Sequence, residues 1–427
     1  MATALWRATM GKLPQPLDDE SSPQRRVAVV FMVLCVAASC AFVISQRTTG
    51  KDLIETVWAP GRALLRGVSP FDPTRLAYQR AYRVTHIAPF NTPSAYLLLT
   101  PLLAVRARVA VDLMRVVNPL LVWSGVLILI RPRTAAGFGA AGVAGAGILA
   151  TYASQDFELL GQLSPLAFVG VALLLVSWGA PRGLWWSVAG TVLISLKPQY
   201  AAPVFLLLIM CGAWRVATRA AVVLAVTSVP ALVLFLRAAG SISTAWATVG
   251  SNLRFFDHLN EDNLAYRGNT RIDLLGLLAH LRGPALNSLG WSLLVLGLAS
   301  ALLALALRRR CQPALAAFRP DAVVATMLAT YLVVSIYHQP YDAIVLFAGP
   351  LVALGAVVAG RPVGRGELIV LAGGVVLEIA EILARYPGRL VPSFGPLALT
   401  GSWANTLPSA IACVAAVVSC RSIGERH

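Results

Sequence analysis

In a chain this apolar, the residues able to do chemistry are few, and they stand at the ends of hydrophobic runs. Asp52 and Glu55 come first, three residues apart and just past the run 27–46. On a helix that spacing puts both on one face, and a carboxylate at a membrane boundary suits a general base that takes a proton from a hydroxyl. Asp156, Glu158 and Gln162 precede the run 164–178. Lys197, Gln199 and Tyr200 follow the run 183–196, and His338, Tyr341 and Asp342 lie between two later runs. Lys197 is followed by Pro198. It is either a side chain snorkelling into headgroups or a cation set against a phosphate leaving group. Arg254, Arg267 and Arg271 are candidates to join it.

Several other chemistries lack their patterns. No D-x-D triplet occurs, the nearest being Asp156-Phe157-Glu158, so a nucleotide-sugar site with a divalent metal is not expected. Neither a G-x-x-x-x-G-K loop nor a G-x-S-x-G elbow is present. His338 has no second His at ligand spacing and the six cysteines form no C-x-x-C, which leaves no metal site and reads the cysteines as packing residues. Asp72, inside Ser69-Pro70-Phe71-Asp72-Pro73, belongs to a turn. Glu378 and Glu381 are acids inside an apolar run, where function is suspected by default; Arg385, four residues after Glu381, is the structural explanation.

Composition says what must hold these groups. Of 427 residues 57% are hydrophobic and 13% charged, with a mean hydropathy of +0.72, against about 25% charged in a soluble protein. A soluble fold is excluded. The net charge of +16 comes partly from basic residues gathering on the cytoplasmic side and points to anionic lipids or phosphates. The basic residues are scattered between apolar runs rather than interleaved with aromatics on one face, which argues against nucleic acid.

The runs divide the chain into a polar tail at 1–26, a single membrane domain at 27–420 and a short tail at 421–427. Arg25 and Arg26 keep the first tail cytoplasmic by the positive-inside rule. The 47–91 loop is thereby delivered to the extracytoplasmic face of the plasma membrane. Trp58 to Leu65 and Leu76 to Tyr82 suit helices lying in the interface. A second large polar loop fills 238–287. Arg131, Arg133, Arg182, Arg215, Arg219, Arg308 to Arg310, Arg361, Arg365 and Arg421 mark alternate junctions as cytoplasmic. Thirteen apolar runs conflict with two cytoplasmic termini. The run 92–105, short and carrying Pro93 and Pro101, is expected not to cross, leaving about twelve spans.

Four stretches carry a family resemblance: KDLIETVWAPGRALLRGVSPFDP at 51–73, PFNTPSAYLLLTPL at 89–102, GQLSPLAFVGVALLL at 161–175 with GTVLISLKPQYAAPVFLLL at 190–208, and YHQPYDAIVLF at 337–347. Together they resemble the membrane-embedded GT-C glycosyltransferases. The likeness is to family 87, polyprenol-phosphate-mannose-dependent α-mannosyltransferases of actinobacterial envelopes, among them the α-1,2-mannosyltransferase of phosphatidylinositol mannoside biosynthesis. The resemblance implies an all-α polytopic fold and transfer of a sugar, mannose first, from a polyprenyl-phosphate donor to an anionic glycolipid acceptor. Asp52 then stands where the family has its base. Gln162, Lys197, His338, Tyr341, Asn269 and Arg271 border the donor, and Glu55, Trp58, Arg62 and Asn91 border the acceptor. The donor brings its own leaving group, so no soluble cofactor is implied. A transporter or flippase of lipid-linked sugars is the rival reading; it would more naturally show an internal repeat, and none is visible.

Overall fold

Every described element is helical, as expected where long apolar runs must satisfy their own backbone polar groups. The computed structural model describes residues 22–46, 48–70, 91–178, 180, 183–259, 289–310, 321–335 and 340–385. The expected helix at Leu76 to Tyr82, the run 405–420 and both tails apart from residues 22–26 lie outside them, as does most of the 238–287 loop beyond residue 259.

Helix α1 (Pro23–Ser45) begins at the Ser22 cap, whose hydroxyl accepts from the Arg25 amide. A π-helix (Leu53–Trp58) runs directly into α2 (Ala59–Leu65). Next come α3 (Pro93–Leu98) and α4 (Thr100–Ala104), broken at Leu99 with Pro93 and Pro101 each at a helix start. The run expected not to cross is thus two short helices. Then follow α5 (Ala107–Ile130), α6 (Ala135–Ala150), α7 (Tyr152–Leu160), α8 (Ser164–Ser177), α9 (Leu184–Ile194), α10 (Pro198–Met210) and α11 (Trp214–Ala239). Helix α12 (Ile242–Leu259) stands inside the stretch expected to be a polar loop. Its Ala245 packs with Ala231 and Phe235 of α11 and with Leu64 and Tyr96, which is why it is ordered as helix. The chain continues through α13 (Leu289–Arg310), α14 (Ala322–Val334), a 3-10 helix (Pro340–Phe347), α15 (Ala348–Val358) and α16 (Arg365–Arg385).

Helices α1, α5 and α11 are each long and apolar enough to cross a membrane, and α6 with α7, bent by 68°, forms a fourth span if counted as one. Large apolar side chains face outward along them, including Val27, Leu34, Val222 and Val226, the arrangement expected of lipid-facing surfaces. Inside, Trp123, Phe157, Phe168, Tyr200 and Ile344 belong to one continuous apolar core. Helices α8 and α9 approach until their backbones meet. A Cβ on Gly170 would lie 2.7 Å from the Gly190 carbonyl oxygen, and one on Gly190 would lie 2.6 Å from that of Gly170. Such small-residue contacts replace the hydrophobic drive that lipid removes.

The bundle has two chemically different ends. At one, Arg131 donates to the Val176 carbonyl, Thr134 donates to that of Val358, and Arg25 lies over the Phe138 ring. The other end gathers residues 48–52, 151–164 and 195–200 with Gln46 and Asp342, joined by the hydrogen bonds described next.

Candidate active site

Three devices fix the segment that carries Asp52. The Thr48 hydroxyl donates to the carbonyls of Glu158 and Leu159, and the amides of Thr49 and Gly50 both donate to that of Leu159, so the last turn of α7 is capped by the chain leaving α1. Arg115 of α5 donates to the Ile44 and Gln46 carbonyls and caps α1 itself. Gly161 closes α7 in the left-handed region at φ +74°, with its α-carbon against Leu53; a Cβ there would sit 2.8 Å from the Leu53 Cβ. Only glycine takes that conformation without cost.

The π-helix has an identifiable staple. Pro60 has no N–H to give the Thr56 carbonyl four residues back. That oxygen accepts instead from the Asn91 amide at 3.2 Å and the Tyr96 hydroxyl at 3.3 Å. Trp58 is buried with Leu53, Val57, Leu103, Met114 and Leu163, and its indole N–H donates to the Val105 carbonyl at 3.0 Å. The Arg62 guanidinium lies 5.4 Å over the Trp58 ring, and its buried Nε has no hydrogen-bond partner among the described residues. These contacts correct the expectation of a helix lying in the interface. From Leu53 to Leu64 the chain is largely buried in protein, because its small residues Ala59, Gly61 and Ala63 let neighbouring helices close over it. Of the groups expected beside an acceptor, Trp58 and Asn91 are engaged in holding the helix, and Glu55 is buried at 8% exposure.

Asp52 stands at the N-cap of the π-helix and accepts a hydrogen bond from the Gln162 side-chain amide. Gln162 is held in turn by Asn118 of α5, which donates to its carbonyl at 3.2 Å. Burial pushes the Asp52 carboxyl above its ordinary range and Glu55 adds to this, while the Gln162 hydrogen bond, Lys197 and Lys51 oppose it. A carboxylate with a raised affinity for protons and one directed amide is suited to proton abstraction.

Lys197 does not snorkel. It caps α10 at 4% exposure, its ammonium 2.6 Å from Oδ1 of Asp342, which is wholly buried, and 3.0 Å from the Ser164 hydroxyl. Ser164 donates to the same Asp342 oxygen at 2.7 Å. Thr92 fixes the approach to Lys197 through its amide and hydroxyl, both donating to the Leu196 carbonyl. Three stretches far apart in the chain thus converge, from the start of α8, the start of α10 and the 3-10 helix.

The sequence reading grouped Asp342 with this end and did not pair it with Lys197; Ser164 and Asn118 were missed. A lone Lys at the end of an apolar run demands a carboxylate, and that demand was the available signal. Tyr341 precedes Asp342 in the 3-10 helix, and its side chain is not described; His338, Asn269 and Arg271 lie outside the described residues. Among the described residues, no group of three or more His, Cys, Asp or Glu side chains could hold a metal ion.

Comparison with curated proteins and with solved structures finds no match. A match to a family does exist over residues 90–336, more than half of the chain. It takes in Gln162, Ser164 and Lys197 and stops short of Asp52 on one side and Asp342 on the other. With its apolar helices and polar cluster at one end of the bundle, the chain belongs to glycosyltransferase family 87 and is a membrane glycosyltransferase.

Proposed function

We propose that this transferase moves a sugar, mannose first, from a polyprenyl-phosphate donor to a hydroxyl of an anionic glycolipid of the phosphatidylinositol mannoside or lipoglycan type. The reaction takes place on the extracytoplasmic face of the plasma membrane, in a bundle of about twelve spans. The observation that supports this most is the Asp52 carboxyl, buried, directed by Gln162 and within the field of Lys197. Basic residues at the opposite end, Arg25, Arg131 and Arg133 among them, favour that end as cytoplasmic.

In this reading Asp52 takes the proton of the acceptor hydroxyl as its oxygen attacks the anomeric carbon. The bond to the phosphate oxygen breaks with its electron pair, and the configuration inverts. The leaving phosphate is already anionic and needs no general acid. Lys197 is already paired with Asp342, so in this reading Arg271 supplies the further positive charge for the donor phosphate and His338 a hydrogen bond to phosphate or sugar. Glu55 and Arg62 border the acceptor.

Purified protein in lipid nanodiscs, incubated with radiolabelled polyprenyl-phosphate mannose and phosphatidylinositol mannosides, is expected to give an α-linked product. Label transferred only from an arabinose or other polyprenyl-phosphate donor would correct the sugar. Labelled lipid crossing the bilayer with no product would replace the reading with that of a flippase.

A further inference from the structure

The Glu158 side chain has no part in the site built around Asp52 and Lys197, although it stands four residues before Gln162. It is buried at 6% exposure, and neither carboxyl oxygen has a hydrogen-bond partner among the described residues. The side-chain oxygen of Gln155, three residues earlier and so on the same face of α7, is buried and unpartnered as well. Both residues line a cavity of about 40 Å³, walled on its other sides by Val43 and Gln46, where the chain leaves α1, and by Leu149.

A carboxylate taken out of water is costly unless something compensates it, and a buried polar group without a protein partner calls for a water or an ion. Arg115 of α5 does not supply the partner. Its guanidinium donates to the Ile44 and Gln46 carbonyls and lies 3.5 Å from Asp112. Ser154, also on the cavity wall, donates its hydroxyl to the Ile148 carbonyl at 2.6 Å. Three acceptor oxygens with no donor between them make a seat for a hard cation, which takes oxygen ligands. At about 10–15 Å³ for each water, the cavity has room for one small ion with a water or two and none for a sugar ring. One carboxylate balances one charge. The several acids that usually gather around a divalent ion are not there, since no group of three or more exists among the described residues.

We propose that this cavity binds a small monovalent cation of the sodium type, held by the Glu158 carboxylate and the Gln155 side-chain oxygen. The backbone carbonyls of Glu158 and Leu159 already fix Thr48, Thr49 and Gly50. The ion therefore ties the exit of α1 to α7 beside the segment that presents Asp52, and it takes no part in making or breaking bonds. The site stands independently of the transferase reading.

The test heats the full-length protein in nanodiscs in sodium chloride and in N-methylglucammonium chloride at equal ionic strength. Sodium is expected to raise the unfolding temperature by about 1–3 °C. Glu158→Gln, which keeps the shape and loses the charge, is expected to abolish that rise. Gln155→Leu, which keeps the falsification open if Glu158→Gln does not fold, is expected to need about tenfold more sodium for the same rise. A parent that unfolds at the same temperature in both salts overturns the proposal. So does a rise that survives Glu158→Gln, an unchanged sodium requirement in Gln155→Leu, or a rise given by magnesium or calcium and not by sodium. A carboxylic-acid infrared band that is lost in Glu158→Gln and stands unchanged when sodium replaces N-methylglucammonium shows a proton on Glu158 instead, and overturns it too. None of these readouts needs turnover, so an inactive protein, or one that moves no sugar, leaves the test intact.

Discussion

Replacing Asp52 with Asn separates catalysis from stability. The side chain keeps its shape, and its amide oxygen still accepts from Gln162, so the 48–58 segment keeps its anchors. Losing a general base costs about 10²- to 10⁴-fold in rate, equivalent to about 2.7–5.4 kcal/mol in the barrier. Stability should move the other way. Burial raises the proton affinity of Asp52 in the fold, so its ionised form weighs against folding at every pH above the unfolded carboxylate range, and that cost is absent at lower pH. Asp52→Asn therefore unfolds at an equal or higher temperature at neutral pH, with the advantage gone in acid. Initial rates with saturating donor, beside thermal unfolding of the same nanodisc sample, test both halves. An enzyme within tenfold of the parent, or an inactive one that unfolds several degrees earlier, would refute the reasoning.

The pH profile of the parent should show an acid limb above the ordinary carboxylate range, falling as pH drops through the raised Asp52 value; a limb at or below that range counts against burial as the dominant influence. Gln162→Leu removes a hydrogen bond to a charged group, worth about 1.5–3 kcal/mol, and should move that limb up by about one to two pH units, as read from kcat against pH. Lys197→Met alone leaves Asp342 buried without its cation and is expected to cost about 3–5 kcal/mol in denaturation assays, most of it recovered when Asp342→Leu is added. Gly161→Ala should cost about 1–3 kcal/mol and lower the transfer rate as well, because the new methyl displaces Leu53 beside Asp52.

What could be read in advance followed from local chemistry. Pro93 and Pro101 marked a short apolar run as unlike its neighbours, expected not to cross, and it forms the two short helices α3 and α4. The polar interruptions at Asp52, Gln162 and Lys197 were visible, because a polar group at the end of an apolar run needs a reason. The pairing of Lys197 with Asp342, 145 residues away, was not visible, since helical periodicity says which face is apolar and nothing of which helix it meets. Helix α12 was hidden because its serines and threonines outweigh Ala245 and Val249, the two apolar residues that mark its buried and half-buried side. The interfacial reading of α2 failed because a mixed aromatic and basic stretch looks the same whether lipid or protein covers it.

The carbonyl that Pro60 leaves open on Thr56 has a further consequence. Asn91 and Tyr96, 35 and 40 residues further along the chain, close it, and Asn91 also donates to the Thr56 hydroxyl, so two distant stretches of sequence are tied at one residue. Cutting that tie would loosen the helix that follows Asp52 without touching the carboxyl group itself.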